Sequence, residues 1–165
     1  MADDEALNVL AIQRLKARYF RFMDTKQWSS WRELFTDDLV FYIEETVMPT
    51  RTDPEIVGGD AFVEFVSGAL VNMVTVHHGH MPEIEITGDR SAVGVWAMFD
   101  WCDDHVAKWA FHGYGHYHER YEKGDDGEWR IAELRLTRLR IDERPYTELP
   151  PGRPMAPGWK PAASL

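Results

Sequence analysis

A single cysteine, Cys102, stands in this chain of 165 residues, so no intramolecular disulfide is available and the fold must rest on a packed core. No apolar run approaches the roughly 20 residues that a membrane-spanning helix needs. No charged start followed by an apolar stretch marks a secretory leader either. Positive charge is scarce: Lys and Arg number 18 against 28 Asp and Glu, a formal charge of -10. Such a surface repels nucleic-acid phosphates and anionic lipid headgroups, which excludes both as expected partners. The compartment expected from these absences is the cytoplasm. Internal repeats and low-complexity blocks are missing as well, so one domain is expected.

Apolar residues make up 44% of the chain, enough to bury a core, and aromatic residues 13%, with seven tryptophans and eight phenylalanines. That much ring surface suits a pocket for an apolar or aromatic ligand, and it suits packing at a subunit contact equally well. Ile12, Leu15, Tyr19, Phe22 and Met23 recur at helical spacing from Asp4 to Asp24, with Arg14, Arg18 and Arg21 on the opposite side. A second helix is predicted over Trp28–Phe35, ended by Thr36, Asp37 and Asp38 before an apolar strand at Leu39–Ile43. After an irregular stretch, Glu44–Gly59, the residues Phe62, Phe65, Val66, Ala69, Leu70 and Met73 predict a third helix with Asp60 as N-cap.

From His77 to Asp142 turn signals separate four strands, at about 80–87, 91–101, 107–122 and 128–142. Helices first and a meander afterwards predict an α+β domain over 1–144, its helices covering one face of a curved, mostly antiparallel sheet. Residues 145–165 hold six of the nine prolines and predict an extended tail lying on the surface or on a neighbouring subunit.

All seven histidines fall between positions 77 and 118. Alternation along Trp109–Glu122 puts His112, Tyr114, His116, His118 and Arg120 on one face and Gly113, Gly115, Tyr117 and Glu119 on the other. His116 and His118 have a usable metal-ligand spacing, but no third ligand is identifiable, so no metal is expected. The run Tyr19 to Trp28 (YFRFMDTKQW), then Leu34 to Asp38, a helix opened by Gly-Asp, His77 ahead of a strand and Gly127-Glu-Trp-Arg-Ile131 together resemble the nuclear transport factor 2-like superfamily, SnoaL-like branch. The resemblance spans roughly residues 5–142 and is nearest the group of scytalone dehydratase, bile acid 7α-dehydratase and hexachlorocyclohexane dehydrochlorinase.

That resemblance implies a cone-shaped domain with an internal pocket, no metal, no organic cofactor and an Asp–His dyad that abstracts a proton during an elimination. The motif residues match Asp24 and His77 for the dyad and Tyr19 for an oxygen-polarising donor. Tyr42, Trp96 and Tyr117 are candidate pocket walls. Two departures stand out: no histidine occupies Asp100–Cys102, where scytalone dehydratase has a second one, and Met23 replaces its tyrosine. Ile43 stands where ketosteroid isomerases carry a carboxylate base, which disfavours that reaction.

Proton removal beside a carbonyl needs a base with pKa near working pH, a requirement imidazole meets, and a carboxylate on the other ring nitrogen fixes its tautomer. Plainer readings stand beside each role. Asp24 could be a solvated helix-end acid, His78 or His80 could replace His77, and Tyr19 lies on the apolar stripe of its helix.

The expected activity is a cofactor-independent, dehydratase-like lyase acting on a small hydrophobic hydroxy-carbonyl, aromatic or steroid-like compound. The alternatives are a polyketide cyclase or isomerase on the same fold, or a non-catalytic binding and assembly module like the small subunits of ring-hydroxylating dioxygenases. A homo-oligomer, trimer or dimer, is expected from the same relatives.

Overall fold

Ile12, Leu15, Tyr19 and Met23 form one buried stripe of helix α1 (Ala2–Asp24), so the helix forms to cover the face of a sheet that would otherwise meet water. The computed structural model describes residues 2–145; the proline-rich tail expected over 145–165 lies outside the described residues from position 146 onward. Helix α2 (Trp28–Arg32) and helix α3 (Gly59–Ala69) complete the helical layer. The strands are β1 (Phe35–Glu44), β2 (Ile56–Val57), β3 (Met73–Gly88), β4 (Ser91–Asp104), β5 (Trp109–Lys123) and β6 (Trp129–Pro145). They form one curved, open sheet in the order β2-β1-β6-β5-β4-β3, antiparallel except for the β1–β6 pair. No helix among the described residues is long and apolar enough to cross a membrane.

Trp31, Phe35, Phe41 and Phe62 interlock between the helices and β1 with ring centroids 4.8–5.2 Å apart. Full burial of each such ring stabilises the fold by about 1.5–3 kcal/mol. Tyr19, Phe20 and Tyr117 continue this aromatic layer toward the other end of the sheet.

Several predicted boundaries move. Helix α2 ends at Arg32 rather than Phe35, because Phe35 pairs with Ile131 and Thr36, Asp37 and Asp38 enter β1. Arg32 ties this corner together, donating to the exposed carboxylates of Asp37 and Asp60 and to the Phe35 carbonyl. Asp60 therefore sits in the first turn of α3, and the N-cap is Gly58, whose φ of 104° a side chain would resist. The irregular stretch contains β2, paired to Val40 and Phe41. Strand β3 starts at Met73, so His77 lies within a strand and not ahead of one. It is an edge strand whose register shifts between His80 and Glu83, where Met81 has φ 36° and points into solvent beside Pro82.

At the other end of the sheet Glu44 is buried against Arg135, the Thr50 and Arg51 amides and the Thr50 hydroxyl. Burial alone would raise its pKa, but the Thr50 amide, then the Arg135 guanidinium and the other donors outweigh it and hold the carboxyl at about 2. A depressed acid pKa means the unfolded chain binds the extra proton, so this stabilisation is complete above the ordinary value of 4.5 and is lost as pH falls toward about 2. Glu44→Gln is expected to flatten the fall in unfolding free energy over that window, as measured by urea denaturation; an unchanged slope would refute the assignment.

Candidate active site

The last residue of α1 brings Asp24 against the inner face of β3. His77 Nδ1–H donates to Asp24 Oδ1 at 2.6 Å, the His77 backbone amide donates to Oδ2 at 2.9 Å, and the Thr75 hydroxyl donates to Oδ1 at 2.9 Å. Thr75 in turn accepts from Lys26 Nζ at 3.1 Å. Burial lowers the pKa of this lysine, and the Asp24 charge partly restores it. Asp24 is therefore not a solvated helix-end acid: it accepts from three donors, and the Lys26 ammonium stands one hydroxyl away. The carboxylate fixes Nδ1 as the protonated nitrogen, which leaves Nε2 with a free lone pair and no hydrogen-bond partner among the described residues.

His77 faces Asp100 across the β3–β4 pair. Arg138 of β6 reaches over β5 to donate to Asp100 Oδ2 at 2.8 Å, and Asp100 Oδ1 is buried with no partner. The reach is possible because residue 113 is glycine: a Cβ there would stand 2.0 Å from Asp100 Oδ1 and 2.1 Å from Arg138 Nη1. Thr75, Asp100 and Arg138 escaped the sequence reading. The signal that could have found Asp100 was its even-numbered parity with Trp96 and Met98 on β4.

Tyr19 and Tyr117 are buried with centroids 6.0 Å apart. Burial first, then the Tyr117 phenol, Glu119 and Asp24 raise the Tyr19 pKa well above 10.0, so its hydroxyl stays protonated and can only donate or accept as a neutral phenol. Beneath both rings lies Lys16, fully buried, with Nζ 3.9 Å from the Tyr19 centroid and 3.7 Å from that of Tyr117. It forms an ion pair with Glu119, whose other oxygen accepts from Tyr121, and Tyr121 accepts from Trp96 Nε1 at 2.8 Å. Burial also raises the Cys102 thiol pKa, which removes it as a nucleophile.

Trp96 and Tyr117 are buried on the inner face, and Tyr42 is not. It lies on the opposite face from Phe41, its neighbour along β1, as the pleat requires, with the Arg135 guanidinium 3.7 Å over its ring. The histidine row His112, His116 and His118 also lies on the outer face. The space beside the dyad differs from the enclosed hollow expected. Tyr19, Phe20 and Tyr117 fill the interior, with Phe20 parallel to the His77 ring at 6.5 Å, and the opening at His77 is a groove of about 350 Å³ bordered by Ala17, Phe20, Gly79, Pro82 and Trp96. Gly79 keeps its floor shallow, since a Cβ would stand 2.7 Å from the Phe20 ring.

The profile of the SnoaL-like domain family matches residues 4–135. A probable cyclase of Gibberella zeae is 29% identical over 135 residues, covering 78% of this chain and 89% of its own. Among solved structures, a provisionally assigned scytalone dehydratase of Novosphingobium aromaticivorans superposes with a TM-score of 0.74 at 20% identity, covering 93% of this chain and 99% of that one. A hexachlorocyclohexane dehydrochlorinase of Novosphingobium barchaimii does so with 0.75 at 16% identity, covering 92% and 100%. At such identities these two structures establish a shared fold.

Proposed function

The chain belongs to the SnoaL-like domain family, and on that premise we propose that it is a cofactor-independent lyase of the dehydratase type. Its substrate is a small hydrophobic hydroxy-carbonyl, aromatic or steroid-like compound in the cytoplasm. The observation that carries this reading is the 2.6 Å contact between His77 Nδ1 and Asp24, which leaves Nε2 with a free lone pair on a ring stacked against Phe20 at the groove. His77 Nε2 takes the proton from the carbon next to the carbonyl. The electron pair forms the new double bond, and hydroxide leaves the neighbouring carbon, taking a proton back from the imidazolium to depart as water. Asp24 holds the tautomer and stabilises the imidazolium. Tyr19 donates to the carbonyl oxygen as negative charge builds there, while Asp100, opposite His77 on β4, stays paired to Arg138. Phe20 is the ring that must turn aside to admit a substrate to Nε2.

Incubation with a panel of aromatic and alicyclic hydroxy-ketones, followed by mass spectrometry, tests the reaction: loss of one water supports it. Turnover without loss of mass supports the second reading, a cyclase, which the 29% identity to a probable cyclase favours. On a substrate that is turned over, Tyr19→Phe is expected to lower kcat by about 10²–10³-fold with KM little changed, the usual cost of one pre-aligned oxyanion donor. A kcat within a factor of about two of the parent would remove Tyr19 from the mechanism. The same reading carries a homo-oligomer, dimer or trimer, joined through the outer histidine face. A single-chain mass by sedimentation, at mildly acidic and at neutral pH, would reject it.

A further inference from the structure

Helix α1 carries a second charged feature that the elimination does not use. Arg14, Arg18 and Arg21 follow at i, i+4 and i+7 on the side turned away from the core, a spacing at which like charges repel and destabilise a helix. With Ala11, Ala17, Gly127, Glu128 and Trp129 they border a cleft of about 660 Å³ between α1 and the turn joining β5 to β6. Acids outnumber bases in this chain, and its other arginines show the result. Arg32, Arg51, Arg90, Arg130, Arg135 and Arg138 each meet a carboxylate. Arg14, Arg18 and Arg21 form no ion pair among the described residues, although the exposed Glu128 borders the same cleft. The Nε of Arg18 is moreover buried with no hydrogen-bond partner, a state that costs desolvation free energy until an acceptor arrives.

We propose that this cleft binds a small organic diphosphate. Seven residues at 1.5 Å rise spread Arg14, Arg18 and Arg21 over about 10 Å of one helix face, a row that two adjacent phosphates sharing Arg18 can engage with more bidentate contacts than a single phosphate. The volume leaves room for an organic body against Ala11, Ala17 and the edge of Trp129. The overall charge of -10 opposes a nucleic acid at the same place, because a polyanion would meet the acidic surface beyond the cleft. The site is independent of the dyad, so it stands or falls apart from the elimination.

Isothermal titration of the full chain with inorganic pyrophosphate and, separately, orthophosphate tests the proposal. The expected result is one saturable pyrophosphate site, tighter than orthophosphate and weakened by added salt, whose affinity falls about tenfold or more in Arg18→Met. Arg14→Gln/Arg21→Gln, at two exposed positions whose change leaves the core untouched, should weaken it likewise. No saturable heat, equal affinity for orthophosphate, or full affinity in the double variant would overturn the assignment.

Discussion

His77→Ala is expected to lower kcat for the proposed elimination by about 10²–10⁴-fold, the ordinary worth of a positioned general base, or about 3–5 kcal/mol of barrier. KM changes little, because the imidazole contributes to the transition state more than to substrate binding. Added imidazole in the buffer restores part of the rate, since the truncation leaves a ring-sized gap beside Phe20. Asp24→Asn is expected to be nearly as damaging for a different reason. The carboxylate accepts from the His77 ring, the His77 amide and the Thr75 hydroxyl at once. An amide has one acceptor oxygen, and its NH₂ turned toward Nδ1 would select the tautomer whose Nε2 carries the proton and cannot act as base. Steady-state kinetics with a turned-over hydroxy-ketone decides both. Retention of parental kcat in either variant, with an unchanged circular dichroism spectrum, would dismiss the dyad as the base.

The largest stability effect is expected at the Lys16–Glu119 pair. Removing one partner leaves the other charge buried and uncompensated, so Glu119→Leu should lose about 3–5 kcal/mol of unfolding free energy. Lys16→Met should lose less, because Tyr121 still donates to Glu119. Changing both together, Lys16→Met with Glu119→Leu, should recover most of the loss or exceed the parent by about 1–4 kcal/mol, as apolar replacements of buried ion pairs do. Urea denaturation of the single and double variants forms the cycle, and additive losses would show that the two side chains do not interact. The double variant also separates stability from chemistry: the charge under the Tyr19 and Tyr117 rings is absent in it while the core remains filled.

Periodicity was enough for α1 and for the alternation of β5, but it left open which face of β5 turns toward the helices; the inward orientation of Tyr117 and Glu119 came from the resemblance. The pairing of Asp24 with His77 came from resemblance, since no pattern within the chain connects a helix end to a strand 53 positions later. Other features were hidden by local chemistry. Met73 continues the apolar spacing of α3, and no glycine or proline separates it from Leu70, so the apolar pattern hides the start of β3 and puts His77 ahead of its strand. The five residues of Leu39–Ile43 are all apolar or aromatic, so they do not reveal which face Tyr42 takes. The register shifts at Tyr114/Gly115 and Arg120/Tyr121 in the β5–β6 pair leave no trace in the sequence pattern, so the placement of Arg138 opposite Gly115 was not legible. Lys16 reads as a solvent-facing residue until a partner 103 positions away neutralises it.

The kink at Met81 and Pro82 has a consequence for behaviour at high concentration. Strand β3 exposes one margin of the sheet, and 16 straight residues there would offer a long ladder of unused amides to any neighbouring molecule. Proline supplies no amide hydrogen, and the outward-turned methionine breaks the line of the backbone, so a foreign strand could zip along only half of that margin before losing step. At the opposite margin β2 pairs with only Val40 and Phe41 of β1. Along β3, fibrillar self-assembly is thereby discouraged by the backbone itself.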